Sequence, residues 1–363
     1  MQINRETLLR TLESVSAGLA TQAKALVAQS SSYVFRDGKV YTFNEEILCS
    51  SDSPFKIDGC VKAKEFRELI QSLPDEDLEM DVIDGNKITI RGNGKGKRKM
   101  KFAMDERLPE NEDPANVVDT PQKWTPLSSD FLAGVDFVKD CVLDDNAAKS
   151  KPNLLILTFI HIHPEYVESC DESQIAHFPT KTGVEREVVI RGSSLAKISG
   201  RNFTHIGETD SWIHFKNQET GQSVSIRRFL DDYPDLSGHL QELQGMSKFT
   251  LPGGLEEVIK RAALCAQSDV AGNHITVDLR SDGMIVEGTG LYGEFKELKD
   301  LVYKGTPLRF RIDPKILTKV VKTTSDCDVI GEGSGEDWVG RIRIKTAKFT
   351  YIACTIPARN PAA

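Results

Sequence analysis

The residues that could do chemistry are few and scattered. His161-Ile162-His163 would set two imidazoles on one face of a strand, a spacing that suits a metal pair, but no third ligand follows at a recognised interval. The acid pairs Glu45-Glu46, Asp144-Asp145 and Asp231-Asp232 fall in loops between apolar runs, where turn and cap residues are far commoner than an acid/base dyad. No serine stands in a nucleophile elbow, and no cysteine has a local histidine signature. The run GNGKGKRK, residues 92–99, lacks the Gly-Lys-Ser/Thr ending of a phosphate loop. The expectation is a protein with no catalytic residues, no metal and no cofactor.

What remains is charge. Lys315, Lys319 and Lys322 fall at i, i+4 and i+7 behind a helix start built from Asp313 as N-cap and Pro314 in the first turn. Ile316, Leu317, Val320 and Val321 recur at helical spacing and would bury the opposite stripe. Taken alone, such a lysine stripe reads as a solvated face. It gains weight because the unit of strand (308–312) and helix recurs three times. The helix starts at LLRTLESV, AKEFRELIQSL, DFLAGVDFVKDCVL, SSLAKIS and LEEVIKRAALCA share the pattern, each followed by strand-like runs. Segments rich in Pro, Asn and Asp (residues 107–126) and DDYPDLSGHLQELQG read as linkers.

The helices of each unit recur at about 120 residues, too long for a solenoid repeat and ordinary for tandem domains. The expected fold class is therefore α+β: three tandem domains at 1–118, 119–243 and 244–363, with antiparallel sheets outside and two helices per domain inside. Three copies suggest an arc, and an arc closes into a ring when copies associate head to tail. The chain of 363 residues exceeds a single core, and its net charge of −8 excludes any argument for nucleic-acid binding from bulk charge. The seven cysteines include no CxxC pair, which favours reduced thiols in a cytoplasmic setting. No apolar run approaches a membrane span, and the charged, amphipathic start is unlike a signal peptide.

Several motifs then resemble, in order and over almost the whole length, the bacterial-type DNA polymerase sliding clamp (the β subunit family), as a divergent one of cellular or viral origin. They are IDGCVKAKEFRELIQSLP and NKITIRG in the first unit, and VESCDESQIA, VVIRGSSLAKI and RRFLDDYPDL in the second. DLRSDGMIVEGTGLYGEFKELKDLVYKG, FRIDPKILTKVVK and the terminal TYIACTIPAR complete the third. The resemblance implies a head-to-tail homodimer ring around double-stranded DNA that tethers a DNA polymerase and is placed by a clamp loader, with no role for a membrane. The rival expectation is a clamp-fold scaffold that does not encircle DNA.

The resemblance also implies sites. Channel-facing cations would be Arg10, Lys24, Lys64, Arg67, Lys139, Lys197, Arg201, Lys260, Lys315, Lys319 and Lys322, making sequence-independent phosphate contacts. Lys95, Lys97, Arg98 and Lys99, in the basic stretch running to Lys101, would touch DNA at the ring face or only solubilise a loop. A partner-peptide groove would be walled by Asp171, Ser173, Gln174, Ile175, Pro234, His239, Ile352, Cys354 and Ile356. Here the chain departs from the family: Glu172-Ser173-Gln174 replaces the usual Gly-His-Arg, and Cys354-Thr355-Ile356 replaces Met-Pro-Met, so a different partner motif is expected. The ring interface would join Met100 and Phe102 to Leu264 and Cys265.

Overall fold

The computed structural model describes residues 1–20, 28–83, 85–92, 98–109, 113, 116–241, 245–267, 273–332 and 337–358. Its helices are α1 (Arg5–Ser14), α2 (Ala63–Ser72), α3 (Ser129–Val138), α4 (Asp145–Ser150), α5 (Gly192–Ala196), α6 (Ser237–Leu240), α7 (Leu255–Cys265) and α8 (Pro314–Thr323). Two compact units form. One holds residues 1–139, 158–167 and 180–232, and the other holds 140–157, 168–179 and 233–363.

In the first unit, Gln2–Asn4, Asp77–Ile83, Lys87–Gly92 and Arg98–Ala103 make an antiparallel sheet in that order, leaving Arg98–Ala103 as an edge. A second sheet runs from Gly59–Lys62 through Ser32–Arg36 and Lys39–Phe43 to Ile47–Asp52, which pairs with Ser223–Phe229. That last strand also pairs with Trp212–Lys216 and Val188–Arg191, so residues far apart in sequence share one layer. The helices cover these sheets in pairs, α1 against α2 and α3 against α5. Alternation explains the division: α1 buries Leu8 and Leu12, and α2 buries Phe66 and Ile70, while the charged positions between them stay outside.

In the second unit, Gly293–Asp300, Gly283–Gly290, Ile275–Arg280, Leu308–Ile312 and Ile356–Pro357 form an antiparallel sheet, with Gly293–Asp300 at its edge. Ser247–Thr250, Asp326–Glu332, Val339–Lys345, Thr350–Cys354 and Gln174–Pro179 form another. The pair α7 and α8 packs against the first of these. A Cβ at Gly288 would lie 1.9 Å from the Ala262 carbonyl oxygen, so glycine is what lets α7 approach. Asp313 caps α8 through the Lys315 N–H at 2.7 Å, Pro314 opens it, and Ile316, Leu317 and Val320 are buried. Each such side chain contributes about 1.5–3 kcal/mol by leaving water.

Local readings differ in three places. The apolar run over 153–163 reads as a strand from its residues, yet it begins as a 3-10 helix, Pro152–Thr158, and only Phe159–His163 is extended. A continuous apolar run has no period that separates the two. Helix α3 stops at Val138 rather than reaching Leu143, and the following turn buries Cys141 completely. Asp144-Asp145, read as loop, opens α4, with Asp144 accepting from the Asn146 N–H at 2.8 Å.

Candidate functional site

The groove residues lie within the second unit. Antiparallel pairing sets Gln174 opposite Ala353 and Ile175 opposite Ile352, and the Cys354 N–H donates to the Ser173 carbonyl at 2.7 Å. Asp171 shapes the turn before this strand: its Oδ1 accepts from the Ser173 N–H at 2.7 Å and the Gln174 N–H at 2.9 Å. Thus Asp171, Ser173, Gln174, Ile175, Ile352 and Cys354 are brought together. Ile175 is half-buried and Cys354 is exposed, whereas Gln174 and Ile352 are buried beneath them.

Pro234 and His239 are exposed and reach this neighbourhood through their neighbours. The Tyr233 hydroxyl accepts from the Cys170 N–H at 3.0 Å, next to Asp171, and burial holds its phenol well above the ordinary range. Arg343, opposite Ile352, donates to the Leu240 carbonyl at 3.2 Å and so ties α6 to the same sheet. Ile356 is half-buried and belongs to the other sheet, opposite Arg311.

Beneath the groove lies a polar cluster that spacing could not reveal, because its members are scattered along the chain. Gln174 Oε1 accepts from the Tyr351 hydroxyl at 2.6 Å and from Cys141 Sγ at 3.4 Å. Gln174 Nε2 donates to Asp171 Oδ2 at 2.7 Å and to the Asp140 carbonyl at 3.3 Å. Lys319 Nζ stands 3.0 Å from Cys141 Sγ and 5.4 Å from the Tyr351 ring centroid. Burial raises the Tyr351 phenol and pushes the Cys141 thiol up to about 11, so both remain neutral donors.

Those of the expected phosphate-contacting cations that the structure describes lie on or just beyond the helix pairs, in unlike settings. Lys64, Lys197 and Lys315 are exposed. Arg10 pairs with Glu6 at 3.0 Å, Lys260 with Glu257 at 2.9 Å and Lys322 with Glu256 at 3.2 Å, all in solvent. Arg67 pairs with Glu13, and Lys139 with Asp136 and the Ser199 hydroxyl. Arg201 is half-buried and donates to the Ser14 carbonyl, a tie within the fold. Lys24, Lys95 and Lys97 lie outside the described residues, while Arg98, Lys99 and Lys101 are on the edge strand.

That edge strand also carries Met100 and Phe102, both half-buried, with Phe102 edge-on to Phe66 at 5.3 Å. Leu264, at the end of α7, is 64% exposed beside the half-buried Cys265 and borders a cavity of about 680 Å³ with Ile259, Ala263 and Pro314.

His161 and His163 do share one face, each directed at Glu187, at 3.4 and 3.8 Å. The His163 Nδ1 accepts the Glu165 N–H at 3.1 Å. Among the described residues no group of three or more His, Cys, Asp or Glu is arranged to hold a metal, and no helix is long and apolar enough to cross a membrane.

No protein-family model and no curated protein matches the sequence. Solved structures do match it along its length. The chain is similar to the DNA polymerase III beta chain from Streptococcus pneumoniae at 16% identity and a TM-score of 0.78, covering 99% of both chains. It is similar to the DNA polymerase sliding clamp from Bacillus subtilis at 17% identity and a TM-score of 0.76, covering 99% of this chain and 98% of that one. The DNA polymerase III subunit beta from Pseudomonas aeruginosa is 14% identical with a TM-score of 0.76, over 98% and 99% of the two chains. The fold is that of the bacterial sliding clamp.

Proposed function

We propose, with the sliding-clamp fold as premise, that this chain is a DNA sliding clamp: a non-enzymatic processivity factor of the cytoplasm that encircles duplex DNA and tethers a replicative polymerase. The observation that carries the reading is the full-length correspondence to clamp structures at a TM-score of 0.78. The sites are consistent with it. Three domains, at 1–118, 119–243 and 244–363, would each contribute one helix pair to the channel. A second copy would close the ring by joining the basic edge strand Arg98–Ala103 to the edge Gly293–Asp300, which carries Glu294, Glu297 and Asp300 alongside Lys296 and Lys299, with Met100 and Phe102 near Leu264 and Cys265.

A net charge of −8 is compatible with this role. Enclosure holds the DNA topologically, so only the channel stripe needs cations, and weak phosphate contacts permit sliding. Solvent-exposed ion pairs such as Lys260–Glu257 are weak and screened by salt, so a phosphate can replace the carboxylate. The exposed strand end at Cys354, beside Ile175, would receive a short apolar peptide from the polymerase or the clamp loader. The test is loading onto nicked circular DNA, where the protein should be retained and then released when the circle is linearised. Equal retention on both forms would rule the ring tether out.

The same ion pairs favour a second reading, in which part of the helix-face charge is already neutralised and the fold serves as a scaffold that does not encircle DNA. Sedimentation separates the two, since a strict monomer at micromolar concentration supports the scaffold.

A further inference from the structure

We infer that Lys319 is a positioning residue of the partner-peptide groove and not a contact for the DNA backbone, an inference that rests on the groove proposed above. The three lysines of α8 share a stripe by spacing, yet Lys315 and Lys322 are exposed while Lys319 is half-buried. Its ammonium is committed inward, 3.0 Å from Cys141 Sγ and 5.4 Å from the Tyr351 ring centroid. A cation over an aromatic face with a soft acceptor beside it is held locally.

The chain of donors has one direction. Lys319 donates to the Cys141 sulfur, and the thiol donates to Gln174 Oε1 at 3.4 Å. The Tyr351 hydroxyl donates to that same oxygen at 2.6 Å. Gln174 Nε2 gives its two protons to Asp171 Oδ2 and the Asp140 carbonyl. An amide offers two acceptor sites and two donors, and all four are used, so the side chain has one orientation. Such chains polarise one another, and a half-satisfied one is costly when buried.

What Gln174 holds is the groove wall. Its backbone pairs with Ala353, its neighbour Ser173 accepts the Cys354 N–H at 2.7 Å, and Ile175 follows it opposite Ile352. Removing the Lys319 ammonium leaves the Cys141 thiol and the Tyr351 ring without the cation that orders them. Gln174 then loosens, and with it the two exposed groove positions.

The test compares the full-length protein with Lys319→Met, Lys319→Arg and Lys322→Met by hydrogen exchange and mass spectrometry, and by the salt dependence of binding to a short duplex oligonucleotide. Lys319→Met should speed amide exchange roughly tenfold in peptides covering 171–175 and 351–354, with no such change in Lys322→Met and with recovery in Lys319→Arg. The slope of log affinity against log salt should fall by about one in Lys322→Met and stay unchanged in Lys319→Met. Wild-type exchange in Lys319→Met, or a salt slope that drops as it does for Lys322→Met, overturns the inference. Should Lys319→Met not fold, Tyr351→Phe removes only the hydroxyl donor to Gln174 and must show the same local acceleration, or the inference fails. A flat salt slope in the wild-type protein would count against the clamp reading while leaving the exchange comparison decisive.

Discussion

His214 is 3% exposed, with Nδ1 2.8 Å from the Ser225 hydroxyl and the Trp124 ring 6.2 Å away. Burial pushes its pKa down from 6.5 to about 4. Between those values the unfolded chain takes up a proton that the folded chain refuses, so stability is complete above pH 6.5 and is lost as pH falls toward 4. The contribution at stake is at most about 3 kcal/mol. Urea melts at pH 7 and pH 5 should show it, and His214→Gln should flatten the difference; an unchanged pH dependence would remove His214 as its source. The thiols divide by access instead. Burial of their surroundings raises the pKa of Cys354 as it does those of Cys49, Cys60, Cys141 and Cys327, but only Cys354 of these five is exposed, at the groove. A chromogenic disulfide reagent should therefore modify Cys354 well before Cys49 or Cys327, as peptide mapping would show. A bound partner peptide should protect it.

Among the elements, α8 was the most legible from sequence. Asp313, Pro314 and the stripe Ile316, Leu317 and Val320 each stand where their types predict, because cap, turn and period agree. Asp313→Ala should cost about 1 kcal/mol in thermal or urea unfolding through loss of the N-cap. No measurable loss would mean that packing alone sets the helix start. Elements defined by long-range contact were not legible. Nothing local told Pro152–Thr158 from a strand, or ended α3 at Val138 so that Cys141 could be buried. The Lys319, Cys141, Gln174 and Tyr351 cluster includes a direct contact between side chains 178 residues apart, which one sequence without contacts cannot bring together. The lysine stripe could not separate Lys319 from Lys315 and Lys322 for a related reason: spacing gives the face of a helix but not which ammonium finds a partner across it.

At the scale of the molecule, the antiparallel α+β character followed from alternation and turns, and the ordered motifs pointed to the clamp fold that the solved structures share. The proposed ring makes two demands on exposed residues. Reversing charge at Lys64, Lys197 and Lys315, all exposed, should shorten retention on circular DNA at physiological salt while leaving the melting temperature nearly unchanged. A large loss of stability instead would make those lysines structural. Leu264→Asp, at a side chain 64% exposed, should leave the fold intact and shift sedimentation from dimer to monomer. A persistent dimer would place the closing surface elsewhere.

The pairing of Gln174–His177 with Thr350–Ala353 joins strands roughly 180 residues apart. A ribosome adds about 5–20 residues per second, so on the order of ten seconds or more separates their emergence. Throughout that interval the nascent chain carries an open strand edge at Gln174, in a segment with buried positions at Ala176 and Phe178, and the mate of that edge is not yet synthesised. Such an edge invites pairing with other chains. The groove wall is thus the last part of its sheet to be completed during translation, and the step most exposed to aggregation when synthesis outruns chaperone supply.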